Sequence, residues 1–424
     1  MTDATTQPAG RLSLGQGTAL YVGAVLATGV IALPALAADV AGPASLLAWI
    51  GLALVSAPLA ATFAALGARY PDAGGVATYA RLAFGDKAAA VVGWCFYLSV
   101  PVGGPAAALW AGSYVEAGVG GGQTTVLATM MVLLVAVPAT NAFGIQVTGR
   151  VQIALAALLT VFLVGAVALS LPHADLGNLQ PFAPHGWQAI GPAAALLVWS
   201  FVGWEAVTHL TAEFRNPARD VPRATAIAVV VVGVLYLSVA FATITVLGEG
   251  AAETGAPLGD LLAIGLGGNS RILAAVAALL LSFGAMNAYY AGASKLGAAL
   301  ARDGSLPAWL AQGSAAGEIP RRSLALLCSM SITTALIVMA AGIGPSPLVL
   351  LTTGLFVTVY AVGVAAAVKL LPRGTKARRA ALVAQGAVVV LLLMAGPYLI
   401  WALLVTAAAL LYRRLAGPRA QRRP

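Results

Sequence analysis

About twelve apolar stretches, each of the 17–25 residues that a helix needs to cross a hydrocarbon layer, leave this 424-residue chain little choice of fold. They lie at about 15–38, 44–68, 88–115, 124–143, 147–171, 189–211, 224–247, 272–300, 323–342, 346–371, 380–396 and 397–412. No period-2 alternation accompanies them, which argues against a transmembrane β-barrel. With 60% hydrophobic and only 9% charged residues, the chain falls far from soluble domains, in which roughly a quarter of residues are charged. The expected class is an all-α polytopic membrane protein. The intervening stretches are too short for an appended domain, so function has to reside in the bundle. The first ten residues are polar and carry neither a basic n-region nor a cleavage site, so the first span is expected to remain in the membrane.

The net charge of +9 matters less than its placement. With the N-terminus in the cytoplasm, all but Arg271 and Lys295 of the 23 Lys and Arg fall in cytoplasmic loops and tails, as the positive-inside rule requires. The clusters at Arg373, Lys376, Arg378 and Arg379, and at Arg413, Arg414, Arg419, Arg422 and Arg423, therefore read as topology anchors beside anionic lipid and not as a nucleic-acid face. Cys95 and Cys328 lie inside spans and suggest neither a disulfide framework nor a metal site. His173, His185 and His209 are scattered, and neither a His-Glu-x-x-His motif nor a glycine-rich phosphate loop is present. No enzyme chemistry, cofactor or metal is expected.

The sixth span reads WSFVGWEAVTHLTAEF, and its Glu205 is the one acid placed within the bilayer. A charge at that depth costs at least ~2.5 kcal/mol. Gly203 beside it weakens the helix and releases backbone groups that must be paired within protein or by a ligand. The first span has a matching weak point at Ala27 to Val30, with Thr28-Gly29 followed by Pro34, which cannot donate to the carbonyl of Val30. Interrupted spans five apart point to an inverted-repeat transporter of the five-plus-five (LeuT-like) kind, with its site at the midplane. The organisation is then a cytoplasmic tail at 1–14, a first repeat at 15–171, an extracytoplasmic loop at 172–188, a second repeat at 189–371, two extra helices at 372–412 and a basic cytoplasmic tail at 413–424. A half-helix that starts with free N–H groups suits a carboxylate, and one that ends with free carbonyls suits an ammonium, so the broken pair suits a zwitterion. The alternative is that the glycines and prolines serve close packing alone.

Four stretches resemble the amino acid–polyamine–organocation superfamily of permeases. They are ATGVIALPALA in the first span, with Ala27 where a glycine is usual; YPDAGGVATYARLAFG at Pro71, Gly74, Gly75, Tyr79, Phe84 and Gly85; EFRNPARDVPRA at Glu213, Asn216, Pro217 and Pro222; and SKLGAALARDGSLP, with Lys295 in the usual Arg place. Within the superfamily, FVGWEAVTHLTAEFRNPARDVPRA, PALAADVAGPASLLAW and PVGGPAAAL resemble the branch of bacterial exporters of L-methionine and branched-chain amino acids.

The resemblance implies a secondary carrier of neutral amino acids in the bacterial inner membrane, with both termini cytoplasmic. Its expected partners are the amino-acid substrate, the lipid bilayer and protons as coupling ion. Substrate binding is assigned to backbone and side chains of Ala27, Thr28, Gly29, Val30, Ser200, Phe201, Val202 and Gly203, with Trp199 and Tyr289 as gates and Asn287 as a weaker candidate. Trp199 is open to ordinary packing as well. Glu205 is the proton-coupling candidate, its alternative being a fixed acid that hydrogen-bonds the unwound backbone. His209, one turn on at i+4, could share its proton or simply be packed. The fifth span lacks the mid-helix lysine of some proton-coupled relatives. Asp72, Arg81, Glu213, Arg219, Asp220 and Arg223 read as solvated loop charges or as an inner gate. Import or exchange on the same scaffold, and an amino-acid receptor or channel, are the competing readings.

Overall fold

The computed structural model describes residues 12–26, 29–70, 75–144, 149–205, 214–313 and 318–420. Its helices are α1 (Leu14–Leu26), α2 (Gly29–Ala41), α3 (Ser45–Arg69), α4 (Val76–Phe84), α5 (Asp86–Val119), α6 (Gly122–Ala142), α7 (Gly149–Ser170), α8 (Ile190–Leu197), α9 (Pro217–Leu247), α10 (Gly250–Glu253), α11 (Pro257–Leu266), α12 (Ser270–Arg302), α13 (Arg321–Ala341), α14 (Pro345–Leu370), α15 (Lys376–Met394) and α16 (Leu399–Ala420). No sheet forms among the described residues, where the one β-type contact is an isolated bridge between Leu12 and Phe214.

Each expected span coincides with a helix or helix pair, apart from the sixth; most ends agree to within four residues, but α9 already starts at Pro217 and α16 runs on to Ala420. Ten apolar helical stretches are long enough to cross a membrane, and the first of them, Leu14–Arg69, runs for 56 residues. At 1.5 Å per residue that is nearly three times the roughly 30 Å one crossing needs. The chain reverses at Gly42, whose φ of +57° is open to glycine and strained for other residues, followed by Pro43 at the start of a short 3₁₀ turn. The chain is thus a polytopic all-helical membrane protein. Pro34 does not interrupt α2, which is continuous from Gly29 to Ala41; it lies inside the helix and leaves the Val30 carbonyl without its intrahelical N–H. Of the break expected at Ala27 to Val30, Ala27 and Thr28 lie outside the described residues, while Gly29 and Val30 are the first residues of α2.

Helix packing follows the pairing that an inverted repeat produces. Spans five apart touch one another: α2 on α8, α3 on α9, α5 on α12 and α6 on α13. Span pairs within or between the halves also have their counterparts, such as α1 on α7 mirrored by α8 on α14, and α1 on α9 mirrored by α3 on α8. Because five is odd, corresponding spans run in opposite directions. The last two helices pack outside this set, α15 on α3 and α14, and α16 on α5 and α14.

Candidate transport site

The sixth span leaves the α-helix soon after its start. α8 ends at Leu197, a 3₁₀ turn covers Val198–Phe201, Val202 is extended (φ −76°, ψ 135°) and Gly203 takes φ +131°. The glycine satisfies a second demand, because a Cβ there would lie 2.8 Å from the Ala24 carbonyl oxygen on α1. Across the junction, a Cβ on Gly29 would lie 2.8 Å from Ser200 Oγ and 3.1 Å from Trp199 Cδ1. The two weak points therefore meet backbone to backbone, and the absence of two side chains permits it. Tyr236 of α9 locks the junction. Its hydroxyl lies 2.7 Å from the Val25 carbonyl and 2.6 Å from the Ser200 carbonyl, so its single proton is shared between the two elements that meet there.

A small cavity of about 50 Å³ opens beside this junction, bordered by Val25 and Gly29, by Trp199 and Val202, by the α5 run from Ser99 to Ala107, and by Tyr289, Thr352 and Phe356. None of its described lining residues is charged. The volume holds a few waters, less than a leucine or methionine would occupy. The indole of Trp199 reaches across to α5, meeting Trp110 edge-on at 5.5 Å. Gly103 makes room for it, since a Cβ there would lie 2.8 Å from Trp199 Cη2, and the adjacent Gly104 does the same for the Tyr290 hydroxyl. Thr352 Oγ1 and Ser200 Oγ are buried hydroxyls with no hydrogen-bond partner among the described residues.

Glu205 is the only charged side chain among the described residues that is buried, at 0% exposure. It stands outside the cavity lining, beyond the break. Its Oε2 accepts the Gly203 N–H at 3.0 Å and the Tyr360 O–H at 2.5 Å. Tyr360 Oη is also 3.3 Å from the Phe201 carbonyl, so one phenol links α14 to both the acid and the unwound backbone.

Of the residues nominated from sequence, Gly29, Trp199, Val202 and Tyr289 border the cavity. Val30, Ser200, Phe201 and Gly203 are buried in or next to the junction wall, with the Phe201 ring tilted against Trp49 and edge-on to Tyr236. Ala27, Thr28 and His209 lie outside the described residues, as do Asp72 and Glu213. Asn287 turns away to α6, where its amide donates to Thr140 Oγ1 at 3.2 Å. Arg81 bridges Asp86 at 3.0 Å and Asp303 at 3.1 Å, a partnership absent from the expected inner gate, while Arg219 and Arg223 are exposed. Sequence reasoning missed Gly103, Gly104, Thr352, Phe356 and Tyr360. Only the Gly-Gly pair between Pro101 and Pro105 carried a usable signal.

An uncharged cavity at an interrupted helix, enclosed by an all-helical membrane-spanning bundle, defines a solute carrier. The chain belongs to the amino acid permease family, whose family model matches residues 12–422. It is 35% identical over 407 residues to the uncharacterized amino acid permease YecA of Bacillus subtilis, covering 95% of each chain. It is 33% identical over 408 residues to the L-methionine/branched-chain amino acid exporter YjeH of Escherichia coli, covering 93% of this chain and 94% of that one. A shorter likeness, 26% over 240 residues and 52% of each chain, is to the branched-chain amino acid permease BcaP of Bacillus subtilis. The protein is a transporter and not an enzyme.

Proposed function

We propose that this permease exports neutral amino acids, L-methionine and the branched-chain residues foremost, from the bacterial cytoplasm by alternating access with proton antiport. The observation that carries the substrate class is the cavity lining, which offers Val, Ala, Phe and Trp surface and a few hydroxyls but no charge to pair with a basic or acidic side chain. The full-length likeness to a methionine and branched-chain exporter supports the same class. In this reading the substrate carboxylate meets backbone N–H groups at Thr28 and Gly29, its amine faces carbonyls of the interrupted helices, and Thr352 Oγ1 supplies a further polar contact. Trp199 covers the side chain from above, Tyr289 borders it, and Glu205 handles the proton with Tyr360. Apolar pockets separate such substrates by only ~1–3 kcal/mol per methylene, so the range is broad. Both termini lie in the cytoplasm, because that topology puts the basic loops inside.

The test is counterflow in liposomes loaded with unlabelled methionine, following entry of labelled methionine, leucine, arginine or glutamate. Saturable entry of methionine and leucine, without arginine or glutamate, is expected; entry of arginine alone would overturn the substrate class. Direction is read separately, from intracellular methionine and leucine in cells with and without the transporter. Lower retention supports export. Higher accumulation from the medium would favour import, the direction left open by the likeness to a branched-chain amino acid permease.

A further inference from the structure

A second cavity, of about 580 Å³, lies far from the transport site, at the end of the bundle where α3, α4, α14 and α15 meet. Four cations border it: Arg69, Lys369, Arg373 and Arg378. They come from separate elements. Arg69 is the last residue of α3, Lys369 the penultimate residue of α14, and Arg378 lies in the first turn of α15. Three membrane-length helices thus bring their positive side chains to one level, the level at which apolar helix meets polar surface.

Two of the cations are anchored by their surroundings. Lys369 Nζ donates to the Ala83 carbonyl at 2.6 Å and stands 5.3 Å from the centre of the Phe84 ring. Arg69 packs on Tyr70, whose hydroxyl reaches toward the Leu370 carbonyl. Thr375 caps α15 by accepting the backbone N–H of Arg378 at 3.2 Å, which fixes the helix start that carries this side chain. No acid lies within ion-pair distance of any of the four among the described residues, whose four ion pairs all involve other cations. Arg378 adds an independent observation: the side chain is half-buried, and its Nε, itself buried, has no hydrogen-bond partner among the described residues. A buried guanidinium N–H without an acceptor is costly, and like charges gathered around one hollow repel one another.

We propose that this cavity is a binding site for the phosphate of an anionic phospholipid, with a two-phosphate headgroup favoured over one. Guanidinium groups recognise phosphate through paired N–H donors, and basic pockets between membrane helices are suited to such headgroups. The surroundings favour a lipid over a free phosphate. Phe84 borders the cavity and is 47% exposed, and Leu82 beside it is 54% exposed. One turn beyond Arg378, Leu382 and Val383 are 54% and 61% exposed, an apolar surface on which acyl chains can lie. The site would tie α14, which contributes Tyr360 to the transport site, to the lipid surface.

The test uses the delipidated full-length protein in detergent, titrated with tetraoleoyl cardiolipin, dioleoylphosphatidylglycerol or dioleoylphosphatidylcholine and read by native mass spectrometry. Cardiolipin is expected to bind most tightly and phosphatidylcholine least. Lys369→Gln with Arg378→Gln should weaken cardiolipin by about 10-fold or more, the scale of two cation–phosphate contacts. Arg379→Gln removes a neighbouring exposed charge that does not border the cavity and should change binding less than about 2-fold. Equal losses in the two cases would mean diffuse attraction and overturn the site. Displacement of cardiolipin by millimolar inorganic phosphate would overturn the lipid assignment in favour of a soluble anion. Should the double variant fail to fold, Arg378→Lys decides: charge is kept but the Nε–H is lost, and unchanged cardiolipin binding would sink the proposal.

Discussion

At the scale of single residues, Glu205 and Tyr360 make the most specific statement. A carboxyl with no exposure, receiving a phenol proton at 2.5 Å and a backbone N–H at 3.0 Å on the same oxygen, joins the unwound strand of the sixth span to α14. A change in its protonation would alter the bonds that hold the break. Glu205→Gln keeps the shape and one acceptor oxygen but loses the titratable charge. It is expected to leave methionine counterflow measurable while removing its response to an imposed pH gradient. Tyr360→Phe deletes one hydrogen bond to a charged group, worth roughly 1.5–3 kcal/mol, and should slow gradient-driven transport by about 10-fold or more at unchanged protein abundance. Liposome fluxes at two internal pH values check both, and a Glu205→Gln carrier still driven by the gradient would remove the acid from coupling. Glu205 was legible in the sequence because one acid in an apolar span is conspicuous. Tyr360 was not, since it is one of 11 tyrosines and its partner is 155 residues away.

At the scale of elements, the interruption of the sixth span is built from what two glycines omit. Gly203 combines a φ of +131° with direct contact to the Ala24 carbonyl, so Gly203→Ala carries both a strained backbone, about 1–3 kcal/mol, and a clash with main chain that has no rotamer to change. The expected result is a lower melting temperature in detergent and loss of methionine counterflow. Gly51→Ala is the matched control, because a Cβ there meets nothing within 4 Å, and it should leave both readouts unchanged. Equal behaviour of the two variants would mean that the junction tolerates separation. Span positions were readable from apolar length alone, because a membrane imposes a minimum run on every crossing. The break was readable as a weak point in helix propensity. Its contents were not: that Gly103 accommodates Trp199, or that Tyr236 reaches the carbonyls of Val25 and Ser200, depends on contacts between helices distant in sequence, on which local periodicity is silent.

Across the whole molecule, the helices sort into two sets. α1, α2, α3, α8 and α9 pack extensively among themselves, as do α5, α6, α12 and α13, while among the described residues extensive packing between the sets runs only through α7, α11 and α14. The cavity lies between them, with Val25, Gly29, Trp199 and Val202 on one side and the α5 and α12 residues on the other. Such a division lets one set move against the other around the site, which alternating access requires. Near the end of the bundle at Val119–Gly122, one bond crosses the divide directly: Tyr114 of α5 donates to the Ile31 carbonyl of α2 at 2.6 Å and accepts the Leu258 N–H at 3.2 Å. Tyr114→Phe removes that tie, and the loss of about 1 kcal/mol from the closed arrangement corresponds to roughly a 5-fold shift toward opening at that end. The measurement is the labelling rate of a cysteine placed at Ala107, in a background with Cys95 and Cys328 replaced by serine, using a membrane-impermeant thiol reagent added from that face. Tyr97→Phe is the control, since Tyr97 bonds Ser323 within one set and should leave labelling unchanged. Faster labelling confined to Tyr114→Phe is expected; equal rates in the two variants would mean that closure at this end rests on packing of the connecting helices and not on the cross-set bond.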